Sequence, residues 1–153
     1  MKLISGSLLT KDVHLALRAT GPADALEEIL RGLRSDNRVR DWERLHDSLV
    51  ANAASEAFRE IPSAIYLHHS RTSSVSDLVL AAGRHPSGIP VPGRTEPVRL
   101  VFVAAIPEAL NSEYLRALGA LARVCSAPSS LAELLSAGSG EDFVTLLEQG
   151  CRS

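Results

Sequence analysis

Aromatic residues are scarce in this chain: Phe, Trp and Tyr together make up 4% of 153 residues. Surfaces that stack nucleobases are built from such side chains, so their scarcity argues against a single-stranded nucleic-acid binder. Nor does charge of one sign dominate. Sixteen Lys and Arg stand against eighteen Asp and Glu, a formal net charge of −2, which provides neither a basic field for nucleic acid nor an acidic tail. Cysteine is limited to Cys125 and Cys151. They form no CxxC pair and have no metal-ligand spacing; the first reads as a buried helix residue and the second as part of a frayed C-terminus. No apolar run approaches the length of a membrane span. The opening residues, Met1 to Leu9, hold no long apolar core, so no signal peptide is expected. These absences predict a cytoplasmic domain with no metal and no cofactor.

What is present is ordinary for a globular protein. With 45% hydrophobic and 22% charged residues, the chain is expected to form a single domain over residues 1–153, with a proper core. Val13 to Ala19 alternates apolar and polar residues and reads as a first strand, with His14 pointing outward. Thr20 and Pro22 suit a helix start, and Leu26, Ile29, Leu30 and Leu33 follow at helical spacing. Asp41 begins a second helix with Trp42, Leu45 and Leu49 on one face and His46 beside them, ending around Ser55 to Phe58. Leu78 to Ala82 is a short buried strand. Arg84 to Pro97 is rich in proline and glycine and reads as a turn-rich connection, with His85 exposed in it and room for a short strand at Ile89 to Val91.

Val98 to Ile106, apolar at every position but Arg99, reads as the central strand. Three helical patterns close the chain. The first is capped by Asn111 or Ser112, carries Leu115, Leu118, Leu121 and Cys125 inward, and breaks at Pro128. The others run over Ser130 to Ala137 and Gly140 to Gln149, with Ser139 and Asp142 spaced as a capping box. Alternating strand and helix patterns predict an α/β fold: a mixed, largely parallel sheet with helices on both faces.

The chemistry-bearing stretch is Ala64-Ile65-Tyr66-Leu67-His68-His69-Ser70-Arg71-Thr72. An apolar strand ends in two histidines, which puts an imidazole at the carboxyl end of a sheet, where open α/β folds build their sites. A neutral imidazole is nucleophilic and well populated near pH 7, which suits it to carry a phosphoryl group. The plainer reading is that one or both histidines merely end a strand.

Over nearly its whole length the chain resembles the enzyme IIA domain of the fructose/mannitol class of the bacterial sugar phosphotransferase system, including its nitrogen-regulatory relatives. The resemblance rests on Ala25-Leu26-Glu27-Glu28, on the histidine segment just quoted, and on Leu78 to Arg84 with Ser87-Gly88-Ile89-Pro90. It continues through Pro97 to Phe102, Ile106-Pro107-Glu108, Tyr114 to Ala122, and Leu131 to Leu135 with Phe143 and Leu147. It implies a phosphocarrier that takes a phosphoryl group from phospho-HPr on His69 and passes it to a IIB domain or a regulatory target protein, with no nucleic acid and no membrane insertion. His68 stands where the family usually has proline. Tyr114 stands at the family's second histidine. The family's arginine position falls near Ala53, with Arg59 a few residues on. Pro62, Ser63 and Ala64 replace site glycines, and Tyr66 a small alanine.

The resemblance therefore implies His69 as acceptor, with His68, Ser63, Ser70, Arg71 and Tyr114 lining the site or stabilising the phosphoryl group. Three readings follow: a working carrier with replacement donors, a catalytically degenerate IIA-like regulatory or interaction domain, and a metal or small-molecule binder using His68 and His69 as a pair. The last requires the strand to have ended already, because neighbouring strand residues face opposite ways. Arg71 reads equally well as a solvated loop residue, and Ser70, Thr72, Ser73, Ser74 and Ser76 as turn residues.

Overall fold

The computed structural model describes residue 4, residues 6–53 and residues 65–151. The element order is β1 (Leu8–His14), α1 (Pro22–Gly32), α2 (Trp42–Ala53), β2 (Ile65–Arg71), β3 (Val79–Ile89), β4 (Val98–Ile106), a 3-10 turn (Glu108–Leu110), α3 (Asn111–Ser126), α4 (Pro128–Ser136) and α5 (Gly140–Cys151). The strands form one sheet in the order β1-β3-β4-β2. β1 runs parallel to β3 and β2 parallel to β4, while β3 and β4 are antiparallel. The sheet is thus mixed and largely parallel, as the alternating pattern predicts.

The apolarity of β4, broken only at Arg99, has a direct cause. Both of its faces are covered, so both residue sets of the two-residue repeat must be apolar. Leu100, Phe102, Ala104 and Ile106 join the core under α3, α4 and α5. Val101, Val103 and Ala105 join the opposite core with Leu26, Ile29, Leu30, Leu45 and Leu49 from α1 and α2. Helices therefore cover both faces.

Four local expectations change. The first strand lies at Leu8–His14, not at Val13 to Ala19. Its pairing with β3 shifts register between Leu8 and Val13, so the simple alternation is broken at an irregularity. Residues 15–19 instead descend toward α1: the Leu17 N–H donates to the Arg84 carbonyl at 2.9 Å, and the Glu28 carboxylate accepts the N–H groups of Arg18 and Ala19. His14 is half-buried, not outward; a Cβ at Gly32 would stand 2.8 Å from its Cε1. β3 continues to Ile89, so half of the expected connection is strand, irregular between Arg84 and Ile89. Gly88 in that irregularity has φ +96°, a conformation other residues rarely take. Finally, Cys151 is buried within α5, beside the same core as Cys125, and is not part of a frayed end. The expected end of α2 at Ser55 to Phe58 lies outside the described residues.

Other local signals hold. The Ser139 hydroxyl accepts the Asp142 N–H at 3.0 Å at the start of α5. Pro128 both ends α3 and opens α4 as its first-turn proline. α3 begins at Asn111, but neither Asn111 nor Ser112 caps it; its N-cap is Leu110, with no side-chain cap.

The outer strand β1 is anchored by a buried ionic cluster that periodicity cannot show. The Arg38 guanidinium donates to Asp12 Oδ2 at 3.0 Å, to Asp36 Oδ2 at 2.8 Å and to the Ser7 carbonyl at 2.8 Å. Lys11 bridges the same two carboxylates. The Asp12 and Asp36 side chains are 1% and 2% exposed. Arg38 holds the Asp36 carboxyl well below the usual carboxylate range. Removing one partner of such a cluster strands charge in the interior. We expect Arg38→Met to lose about 3–5 kcal/mol of unfolding free energy, read by urea denaturation; a loss below about 1 kcal/mol would show that the cluster is effectively solvated.

Candidate functional site

The site is built by β2. Its register with β4 runs without a break from Ile65↔Leu100 to Arg71↔Ile106. The strand therefore does not end at His69 but continues two residues further, and its side chains alternate throughout. Ile65 and Leu67 enter the core under α3 to α5, and His69 follows them on that face. Tyr66 packs against the opposite core, with His68 and Ser70 on its side.

His68 and His69 consequently do different things. The His68 ring is 2% exposed. Its Nε2–H donates to the Pro22 carbonyl at 3.0 Å, and its ring packs against Tyr66 with centroids 4.8 Å apart. Its Nδ1 has no hydrogen-bond partner among the described residues. Burial pushes its titration down to about 4. His68 is thus a core histidine that ties β2 to the start of α1. The adjacent pair cannot share a metal ion, because the continuing strand sends the two rings to opposite faces.

His69 is half-buried and lines a cleft of about 550 Å³. Ser48, Ala51 and Asn52 from α2 form one wall, and Tyr114, Leu115 and Leu118 from α3 the other. The rings of His69 and Tyr114 lie 6.3 Å apart between centroids, 15° from parallel. The Asn52 amide donates to the His69 carbonyl at 2.8 Å, so α2 covers the outer edge of β2 where the imidazole is presented. Burial, with the nearby Arg71 charge, lowers the His69 titration below the ordinary imidazole range. The shift favours the neutral ring near pH 7.

Tyr114 is 4% exposed, and its hydroxyl is buried with no hydrogen-bond partner among the described residues. Burial pushes its ionisation up to about 12, so it is a proton donor at any working pH. Arg71, two residues beyond His69, is exposed at the rim. Its Nε–H donates to Asn111 Oδ1 at 3.0 Å at the start of α3. Its guanidinium is therefore held over the cleft by a strand-to-helix contact and is not a loose loop side chain.

Of the residues expected at the site, His69, Ser70, Arg71 and Tyr114 line one cleft. Ser70 does so with its hydroxyl committed elsewhere: it is 3% exposed and donates to Ser48 Oγ at 2.8 Å. His68 lies on the other face. Ser63 and Arg59 lie outside the described residues. The residues missed were Ser48 and Asn52. Their signal was a polar stripe at four-residue steps, Arg44-Ser48-Asn52, beside the apolar stripe of Leu45 and Leu49 on α2. Leu115, expected inward, is 54% exposed at the rim.

Comparison with solved structures first defines the class. The chain aligns with nitrogen regulatory protein IIA-Ntr from Neisseria meningitidis at TM-score 0.77 and 22% identity, covering 93% of this chain and 97% of that one. It aligns with IIA mannitol from Escherichia coli at TM-score 0.70 and 17% identity, covering 90% and 96%. The fold is that of these IIA proteins. The family of the phosphoenolpyruvate-dependent sugar phosphotransferase system, EIIA 2, matches residues 7–150, and the chain belongs to it. Among curated proteins it is 25% identical over 144 residues to the PTS system fructose-specific EIIABC component of Bacillus subtilis (strain 168). The match takes in 93% of this chain and 22% of that protein, so the chain spans about a fifth of the length of that relative.

Two titrations follow from the geometry. The His69 ring protons, followed by NMR, should titrate below 6.5, and Arg71→Gln should raise the midpoint, because a neighbouring positive charge is removed. A midpoint at or above 6.5 in the parent protein would refute the assigned environment. His68, held neutral, refuses a proton that the unfolded chain accepts, so stability falls as pH drops from about 6.5 toward 4. Unfolding midpoints of His68→Leu should depend less steeply on pH across that window; equal slopes would remove His68 as the cause.

Proposed function

We propose that this chain is a single IIA-like phosphocarrier domain, with His69 as phosphoryl acceptor and Tyr114 and Arg71 in place of the family's usual donors. In the step envisaged, an unprotonated ring nitrogen of His69 attacks phosphorus on a phosphohistidine carrier of the HPr type. The P–N bond to the donor breaks as the P–N bond to His69 forms. The departing imidazole gains one proton, and the His69 ring releases one from its other nitrogen. Transfer to a IIB domain repeats the exchange onto that domain's own acceptor. Such transfers are mostly positioning and stabilisation of the equatorial oxygens.

The observation that carries this reading is the Tyr114 hydroxyl, buried in the cleft that holds the acceptor ring and without a hydrogen-bond partner among the described residues. Leaving a buried hydroxyl unsatisfied costs about 1–3 kcal/mol. A phosphoryl oxygen entering the cleft satisfies it, so the group is destabilising in the resting protein and stabilising once charge arrives. Arg71 supplies the positive charge that a tyrosine lacks. The apolar rim of Leu115 and Leu118 provides a surface for the partner that delivers or removes the group. Support for the histidine-carrier reading also comes from the family, and from the complex of enzyme IIA mannitol with phosphorylated enzyme IIB mannitol from Escherichia coli, whose IIA this fold matches at TM-score 0.70.

A second reading, a regulatory IIA-like domain without efficient transfer, is favoured by one observation. The position opposite the acceptor holds a phenol that stays neutral, its ionisation pushed up to about 12. It would use the same apolar rim to bind its target.

The deciding experiment is intact mass after incubation with enzyme I, HPr and phosphoenolpyruvate. One phosphoryl group should add to the parent protein and none to His69→Ala, which should remain folded. Tyr114→Phe should fold with equal or greater stability yet accept the group about tenfold to a hundredfold more slowly, the loss of a ~1.5–3 kcal/mol hydrogen bond to a charged oxygen. No adduct on the folded parent protein would favour the regulatory reading.

A further inference from the structure

A second cleft of about 630 Å³ adjoins the His69 cleft and shares two residues with it, Ser48 and Arg71. Its character is different. Arg40, Arg44 and Arg71 all line it, against one carboxylate, Glu108. Among the described residues, none of these three guanidiniums is in an ion pair, and only that of Arg71 makes a side-chain hydrogen bond, to the neutral Asn111 amide. The nearby Asp41 carboxylate accepts the Arg44 backbone N–H. In a chain whose net charge is −2, positive charge has been gathered at one place with no ion-pair partner among the described residues.

The cleft has defined walls. Arg40, Arg44 and Ser48 stand at four-residue steps and so along one side of α2 and its entry. The opposite wall is Pro107, Glu108 and Ala109, leading into α3. The segment after β2 forms part of the lining. There the Thr72 hydroxyl accepts the Ser74 N–H at 3.0 Å, the Arg40 N–H donates to the Ser74 carbonyl at 2.7 Å, and Val39 pairs with Val75. The arginines are thus carried on a braced frame.

We propose that this cleft is a binding site for a small phosphate-bearing molecule, distinct from the phosphoryl-acceptor cleft and coupled to it through Arg71. Guanidinium forks match phosphate oxygens bidentately, the Ser48, Thr72 and Ser73 hydroxyls add further polar groups, and the volume is that of a small-molecule pocket. Among the described residues no aromatic side chain lines it, which favours a compact phosphate group over a base or a sugar ring. A concave, three-arginine pocket fits a compact anion better than an acidic protein segment, which would meet charge spread along a face. The coupling rests on the phosphocarrier reading; the binding does not. A ligand that engages Arg71 withdraws it from the His69 cleft, so occupancy should slow phosphorylation of His69.

The test is calorimetric titration of the full chain with inorganic phosphate, then pyrophosphate. Saturable one-to-one binding is expected, weakened at least tenfold in the Arg40→Ala/Arg44→Ala double variant and unchanged in His69→Ala. The His69→Ala arm keeps the site separate from the acceptor, so a chain that proves unable to accept a phosphoryl group can still pass. In the parent protein, pyrophosphate should also slow phosphoryl uptake from HPr at least threefold, and this inhibition should vanish in the double variant. No saturable binding by the parent protein, or equal binding by the double variant, would overturn the site. Failure of the small probes, together with salt-sensitive transfer that falls in Arg44→Glu, would overturn it in favour of an acidic protein partner. Binding without inhibition would overturn the coupling alone.

Discussion

The parallel pairing of β2 with β4 decides what every residue in the candidate site can do. Seven consecutive residue pairs, Ile65↔Leu100 to Arg71↔Ile106, hold one register. Because side chains alternate with a period of two, this register sends His69 and Arg71 to the face covered by α3 and sends His68 and Ser70 to the face covered by α1 and α2. A slip of one residue would exchange the two histidines and bury His69 against Pro22. The register is enforced by packing. Ile65 and Leu67 must enter one core while Tyr66 packs on the other, and β4, apolar on both faces, offers no polar alternative. His69 is thus placed by the hydrophobic residues that fix the register.

The cleft around His69 stores a local cost. Tyr114 holds a hydroxyl with no partner among the described residues, and Arg71 holds a positive charge near a ring whose protonated form burial already disfavours. None of these features stabilises the resting protein. All of them respond to an incoming anion. The rest of the molecule offsets this with two well-filled cores and with buried charges that are fully paired, as in the Asp12, Asp36 and Arg38 cluster. α2 links the two clefts through one stripe: Arg44 serves the arginine pocket, Ser48 both clefts, and Asn52 the His69 backbone.

Much of this was legible in the chain. The β4 run, the helix stripes of α1, α3 and α5, the proline at the α3–α4 junction and the capping box at Ser139 are local signals, and each produced the element it indicates. The strand carrying His69 was legible as well, though not its last two residues, because Ser70 and Arg71 look like the start of a loop until a partner strand pairs with them. β1 was displaced for a related reason: an edge strand with a register irregularity has no clean alternation to read. His14 and Cys151 were expected at the surface because nothing in the nearby sequence shows that Gly32 leaves room for one and that α5 packs against α3 over the other.

Sequence alone determined the fold class and the strand that presents an imidazole, because hydrophobic periodicity and side-chain chemistry are properties of short stretches; Tyr114 opposite His69 came only from the family resemblance. Tertiary structure decided that strand register sends the two adjacent histidines to opposite faces, that the Tyr114 hydroxyl finds no partner among the described residues, and that Arg40, Arg44 and Arg71 share one pocket. Those facts depend on strand register and on helices brought together from distant parts of the chain. A charge balance that looks neutral along the sequence becomes a positive pocket once the fold gathers residues 40, 44 and 71 at the same end of the sheet.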